Sequence, residues 1–304
     1  MSKKVKKKML NNEKILITGG AGFIGRNILE SLGNKYEFLA PSQQELDLID
    51  EKKVSSFFRE NKIDVVIHSA IKPSHRNASD PTSIFYTDSR MFFNIARNSQ
   101  YYKKMIVLSS GAIYDINQSL SKVKEEYFDS FVPVDEHGFY RYIAGKYIEL
   151  VDNILELRIF SIFGKYEDYA IRFVSNAICK TIFDLPITIK QNRKLDYLYV
   201  KDLIPILEYF IENEVKYKAY NITPNHPIDL YSLAEKIKDI SGKNLLIKVD
   251  KPGMGLEYSG DNSRLRNEIS DIKFTPTDEA IRELYNWYLE NKHLINPKFL
   301  LTDK

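Results

Sequence analysis

The chain has 304 residues, 43% of them hydrophobic and 28% charged, with a net charge of +3. That length allows a full-sized core, burying roughly three quarters of the surface the unfolded chain exposes, and the composition excludes a disordered chain. The small net charge, with no basic stripe interleaved with aromatics, argues against a nucleic-acid partner.

Cys179, the single cysteine, excludes an internal disulfide framework and a zinc site built from several thiolates. Its apolar neighbourhood FVSNAICKTIF suits a buried, inert thiol. No apolar run approaches the roughly 20 residues of a membrane span. The basic stretch MSKKVKKKMLNN, residues 1–12, lacks the apolar centre of a signal peptide and reads as a solvated tail. The expectation is a cytoplasmic protein with no membrane partner.

From Lys14 onward, short β-rich runs alternate with amphipathic segments. KILIT (14–18), YEFLA (36–40), DVVIHSA (64–70) and KMIVLSS (104–110) read as strands. Between them lie helical segments: residues 25–32, EKKVSSFFREN, and SIFYTDSRMFFNIARNSQ. Asp50 stands where it would cap the helix that begins at Glu51. Continuous apolar strands alternating with helices predict a doubly wound α/β domain with a parallel sheet covered on both faces. After Gly164 the rhythm changes to a helix over 170–184, the strand LPITI, and DYLYVKDLIPILEYFIEN running from strand into helix. Then come YNITP, the helix LYSLAEKIKDISG, the strand NLLIKVD and the helix DEAIRELYNWYLENK. The predicted division is a Rossmann domain over 13–164 plus 196–222 and a smaller α/β substrate-binding lobe over 165–195 plus 223–304.

TGGAGFIG sets Gly19, Gly22 and Gly25 between a predicted strand and a predicted helix, the context of a dinucleotide turn. Gly19 permits the tight turn, Gly22 lets backbone approach a pyrophosphate, and Gly25 allows helix to pack on strand. The helix N-terminus then offers unpaired N–H groups to phosphate. This T-G-x-x-G-x-x-G spacing with its FIG ending resembles the extended short-chain dehydrogenase/reductase family of NAD(P)-dependent nucleotide-sugar epimerases, dehydratases and reductases. The resemblance runs from Lys14 to about residue 290. It implies a nicotinamide cofactor lying along Phe23, Ile24, Leu48 and Ala70. FLAPSQQ, at the end of the second strand, carries no carboxylate and offers Ser42 to a phosphate, which favours NADP(H) over NAD(H). Asp47 falls where related proteins hydrogen-bond the adenine amino group.

GFYRYIAGKYIE contains Tyr142 and Lys146, four apart and so on one helix face. A lysine beside a phenol lowers its pKa toward neutrality and makes it a usable general acid/base. Ser110, four residues before Tyr114, resembles the family serine that hydrogen-bonds the substrate oxygen. The resemblance implies hydride transfer at a sugar carbon: Tyr142 moves the hydroxyl proton, Ser110 polarises the oxygen, and Lys146 holds the nicotinamide ribose. No metal is required. The five histidines show no ligand spacing, and His68 reads as a structural residue at a strand end.

Departures from the family pattern narrow the chemistry. The Asp-Glu pair of the 4,6-dehydratases is replaced by Gly111 and Ala112, and Ala112 also replaces the cysteine of GDP-fucose synthases. In LRIFSIFG, Ser161 stands for the usual substrate-binding asparagine. In RKLDYLYVKD, Leu195 occupies the arginine slot, leaving a diphosphate to Arg193 or Lys194; GDNSRLR offers Arg264 to the nucleotide. The favoured activity is a 4-ketoreductase acting on a nucleotide-diphosphate sugar for a bacterial surface glycan. A C4 epimerase with retained NAD, and a non-catalytic NADP-binding regulator, are the alternatives. A homodimer through the faces of residues 82–99 and 138–153 is expected from the resemblance.

Overall fold

The structure is a computed structural model that describes residues 13–73 and 78–301. The basic stretch 1–12 lies outside the described residues. The first half comprises β1 (Lys14–Thr18), α1 (Phe23–Leu32), β2 (Glu37–Leu39), α2 (Glu51–Glu60), β3 (Val65–His68), α3 (Ile84–Ala96), β4 (Lys104–Ser110), β5 (Leu120–Val123) and α4 (Glu136–Ile148). Next come β6 (Ile154–Ile159), β7 (Ser161–Phe163), α5 (Phe173–Ile182), β8 (Ile187–Asn192), β9 (Lys194–Leu195), β10 (Tyr197–Tyr199), α6 (Val200–Glu212) and β11 (Ala219–Ile222). The chain ends with β12 (Ile228–Asp229), α7 (Leu230–Ser241), β13 (Ile247–Met254), β14 (Tyr258–Gly260), α8 (Ser263–Glu268) and α9 (Thr277–Glu290).

Six strands form one parallel sheet in the order β11-β6-β4-β3-β1-β2. Central strands are buried on both faces, so VVIH and ILELRI are buried at every position, the pattern parallel sheets require. Val54, Phe58, Phe92, Tyr140 and Ala144 pack α2, α3 and α4 against one face. Ile28, Leu32, Leu203, Ile206 and Phe210 pack α1 and α6 on the other. This is the doubly wound α/β arrangement, in which ligands bind beyond the C-terminal ends of the strands where the order reverses.

A second core joins α5, α7 and α9 to the parallel pair β8 and β13 through Ile178, Leu233, Ile281 and Leu284. Cys179 is fully buried in it, and burial pushes its thiol up. Asp50 caps α2 by accepting from the Lys52 and Lys53 backbone N–H groups, at 3.0 and 3.1 Å. α1 begins at Phe23, two residues before its expected start, because Gly22 is itself the extended N-cap.

Candidate active site

The glycine turn fits an anion on three counts. Gly19 has φ +71°, and a Cβ there would lie 2.8 Å from the Ala70 nitrogen. A Cβ on Gly25 would lie 2.3 Å from the Gly19 carbonyl oxygen, so α1 can sit this close to β1 only with glycine. Gly22 is exposed, and α1 has neither a side-chain cap nor an acid in its first turn. The first-turn N–H groups, those of Phe23 and Ile24 among them, therefore face outward without an intrahelical acceptor. These residues fit the pyrophosphate of a dinucleotide, with Ala70 forming the adjacent wall.

The end of β2 carries a charge that its own residues did not announce. FLAPSQQ has no carboxylate, but the Ser42 backbone N–H donates to Glu45 Oε2 at 2.7 Å. The Glu45 N–H returns to the Ser42 hydroxyl at 3.4 Å. Those bonds hold the Glu45 carboxyl below its ordinary range, so an anion sits beside Ser42, where a phosphate was expected. The S-x-x-E spacing of Ser42 and Glu45 is a capping-box signature and was legible. Asp47 turns one carboxylate oxygen to its own loop, accepting from the Ile49 N–H at 3.1 Å. The buried Leu48 gives its carbonyl to Asn94 Nδ2 at 2.9 Å.

Ser110 and Tyr142 each adjoin the cluster that contains Tyr258. A Cβ on Gly138 would lie 2.9 Å from the Ala112 carbonyl oxygen, and one on Gly145 would lie 2.9 Å from Ile113 Cδ1. α4 thus rests on the turn Gly111–Tyr114 that directly follows Ser110. On this side Tyr142 packs against a cluster that includes Ile113, Phe160 and Tyr258. The Ser110 hydroxyl lies 3.2 Å from that of Tyr258. Burial pushes the Tyr258 phenol up to about 12, so it is a neutral neighbour.

The tyrosine–lysine pair has a third member that its spacing did not announce. The Tyr142 hydroxyl donates to one Asp129 oxygen, and Lys146 Nζ lies 3.1 Å from the other. Lys146 is 42% exposed and also lies 3.5 Å from Glu149. Lys146 lowers the Tyr142 phenol, as its spacing predicts, but it is outweighed. The hydrogen bond to Asp129 holds the Tyr142 phenol above its ordinary range, and the opposing charge of Lys146 is the lesser effect.

The opposite face of α4 turns Tyr140, Arg141 and Ala144 to a small cavity at the ends of β3 and β4, beside His68, Ala70 and Ser109. Lys146 does not line it. His68 Nδ1 lies 2.8 Å from the Thr18 hydroxyl, and burial lowers its imidazole to about 4, so it is neutral. His68 Nε2 and Arg141 Nε are buried there without a partner among the described residues. Apolar patterning of α4 gave no sign of Arg141, because the residue sits among tyrosines.

Of the expected substrate contacts, Arg193 is half-buried with its Nε unpaired among the described residues, and its charge acts on Tyr197 and Tyr258. Arg172, absent from the sequence-based set, acts on Tyr197 and on His137. Leu195 packs into the Tyr258 cluster, and Lys194 is exposed. Ser161 is half-buried on β7, its N–H donating to the Asp196 carbonyl at 3.2 Å. Arg264 bonds within the protein: its guanidinium donates to the Ala219 carbonyl at 3.0 Å and to Glu126, and lies 4.4 Å over the Tyr217 ring.

Residues 15–223 match the NAD dependent epimerase/dehydratase family. The chain belongs to that family. Over 92% of its length it is 24% identical to GDP-L-colitose synthase of Yersinia pseudotuberculosis, covering 99% of that protein. Among solved structures, UDP-glucose 4-epimerase with UDP-glucose from Thermotoga maritima superposes with a TM-score of 0.80 at 20% identity, covering 92% of this chain and 100% of that one. GDP-mannoheptose C4 reductase from Campylobacter jejuni with NADP bound superposes with a TM-score of 0.78 at 21% identity, covering 93% and 100%. As the doubly wound α/β arrangement leads one to expect of a ligand site, the glycine turn and the Ser110 wall both lie at the C-terminal edge of the sheet. Among the described residues, no His, Cys, Asp or Glu side chains gather as a metal site, and no helix is long and apolar enough to cross a membrane.

Proposed function

We propose that this family member is a 4-ketoreductase acting on a nucleotide-activated sugar. The observation that carries the reading is the shared wall of Ser110 and Tyr142, at the sheet edge that also holds the glycine cradle. The matches to a GDP-sugar synthase and a GDP-sugar C4 reductase support it. When bound, the nicotinamide supplies or accepts hydride. Ser110 donates a hydrogen bond to the oxygen on the reacting carbon. Tyr142 transfers a proton to that oxygen, and Lys146 balances the phenolate left behind. Arg193 Nε, without a partner among the described residues, is suited to the sugar diphosphate. Gly111 and Ala112 supply no acid/base pair for water elimination.

A second reading, a C4 epimerase with retained NAD, is favoured by Glu45. A carboxylate beside Ser42 repels the 2′-phosphate of NADP(H) and suits a free ribose hydroxyl. Purification separates the two: exchangeable NADPH consumed with a 4-keto nucleotide sugar supports the reductase, whereas stoichiometric NAD surviving dialysis supports the epimerase. In either case Tyr142→Phe is expected to cut turnover by about 10²–10⁴-fold with dinucleotide binding retained. Wild-type turnover in that variant rejects Tyr142 as the proton-transfer group.

A further inference from the structure

Beyond the 3-10 turn Glu125–Tyr127, the chain places Phe128 and Asp129 over the loop-facing side of α4. The Phe128 ring is centred 5.5 Å from that of Tyr142 and lies 4.6 Å beneath the Arg158 guanidinium. It also closes on Gly145, where a Cβ would come within 3.0 Å of it. Asp129 follows with φ +75°, a left-handed conformation that costs a non-glycine residue energy and persists where surroundings impose it. What the conformation achieves is specific. One carboxylate takes both the Tyr142 hydroxyl and the Lys146 ammonium, the pair assigned to proton transfer in the proposed reaction.

We propose that Asp129 is a positioning residue that keeps the reacting proton on Tyr142 and thereby sets the site for ketone reduction. The proposal rests on the reductase reading above. A neutral phenol donates to the carboxylate, whereas a phenolate would be repelled by it. Lys146 alone would favour phenolate, but its charge is shared with Asp129 and Glu149. Glu149 raises the Tyr142 phenol in the same direction, and Phe128 and the cluster Tyr142 packs against, Ile113 and Tyr258 among it, carry no charge. The donors hold Asp129 below the usual carboxylate range, so it is an anion at neutral pH.

In reduction the carbonyl carbon receives hydride from the nicotinamide, and the carbonyl π pair moves to oxygen. The Tyr142 O–H bond breaks, and its proton passes to that oxygen. Alcohol oxidation needs the reverse, with Tyr142 starting as phenolate, the state Asp129 opposes.

The test is Asp129→Asn in the full-length protein, with Asp129→Glu as the variant that restores the anion. Tyrosine labelled with ¹³C at Cζ reports the Tyr142 titration without cofactor, the resonance being the one missing in Tyr142→Phe. The expected result is a Tyr142 midpoint at lower pH in Asp129→Asn than in wild type, restored upward by Asp129→Glu. The basic limb of kcat/KM for ketone reduction should move to lower pH in Asp129→Asn as well. Coincident wild-type and Asp129→Asn midpoints overturn the proposal. Failure of the reductase reading is separate, because it appears as stoichiometric NAD surviving dialysis with no NADPH consumed on a 4-keto nucleotide sugar, while the titration still reports on Asp129.

Discussion

The glycine turn and the Tyr142 wall are the two halves of the proposed site, built on different principles. In the turn the functional atoms are backbone N–H groups, and the close contacts of Gly19 and Gly25 are with backbone. Its shape is set by the strand, the helix and the missing side chains. At Tyr142 every functional atom is on a side chain, and its state depends on Asp129, thirteen positions earlier on a loop held by Phe128. The first half is preorganised by covalent geometry, the second by a chain of contacts reaching under the sheet. Perturbations should therefore separate cofactor binding from proton transfer.

The largest effect is expected at the buried support of the Tyr142 side. Arg158 and Glu156 are 3% and 2% exposed and form an ion pair on β6. Arg158 also donates to the Tyr114 hydroxyl at 2.9 Å, and Tyr114 donates to Asn221 Oδ1 at 2.7 Å. The Asn221 N–H donates to Glu125 at 2.7 Å, which ties down the start of the loop carrying Asp129. Arg158→Met should cost about 3–5 kcal/mol, because it leaves Glu156 as an unpaired buried charge. Denaturant unfolding measures this. In the protein that remains folded, turnover should fall further than dinucleotide affinity; equal losses would show that the two halves are not separable.

Gly25→Ala tests the other half. Its Cβ would stand 2.3 Å from a backbone oxygen, so α1 must move off β1. Overpacking of this kind costs about 1–3 kcal/mol, and the movement displaces the N–H groups meant for phosphate. The expected outcome is weakened dinucleotide binding by calorimetry with an unaltered Tyr142 titration. Binding at wild-type strength would mean that the cradle tolerates a shifted helix.

The same contrast explains what was legible in the sequence. β1, β3 and β4 announced themselves as apolar runs, and the glycines carry their reason in their own chemistry, so the cradle could be located from TGGAGFIG alone. β5, β7, β9, β12 and β14 span two to four residues each, too short for any periodicity. β6 was hidden because ILELRI alternates apolar residues with Glu156 and Arg158, a pattern of a half-exposed strand whose charges in fact neutralise each other in the interior. Ser110, Tyr142 and Lys146 were proposed from spacing, but spacing describes one helix face and says nothing of what faces it. Asp129, Arg141 and Tyr258 owe their positions to tertiary packing, and so do the contacts of Arg264 with Glu126 and Tyr217.

The smallest effect is expected at Glu45, and it sharpens the contrast because it touches the cradle through a side chain. The carboxylate is exposed and its bonds to Ser42 are local, so Glu45→Gln should leave the unfolding midpoint nearly unchanged. Its charge nonetheless lies where an adenosine 2′-phosphate would approach Ser42, and a phosphate carries nearly two negative charges. Removing the carboxylate should lower KM for NADPH while leaving that for NADH nearly unchanged. Repulsion between solvated charges is screened by salt, so the NADPH gain should shrink as ionic strength rises. A gain independent of salt would point to shape in place of charge, and no gain would remove Glu45 from cofactor selection altogether.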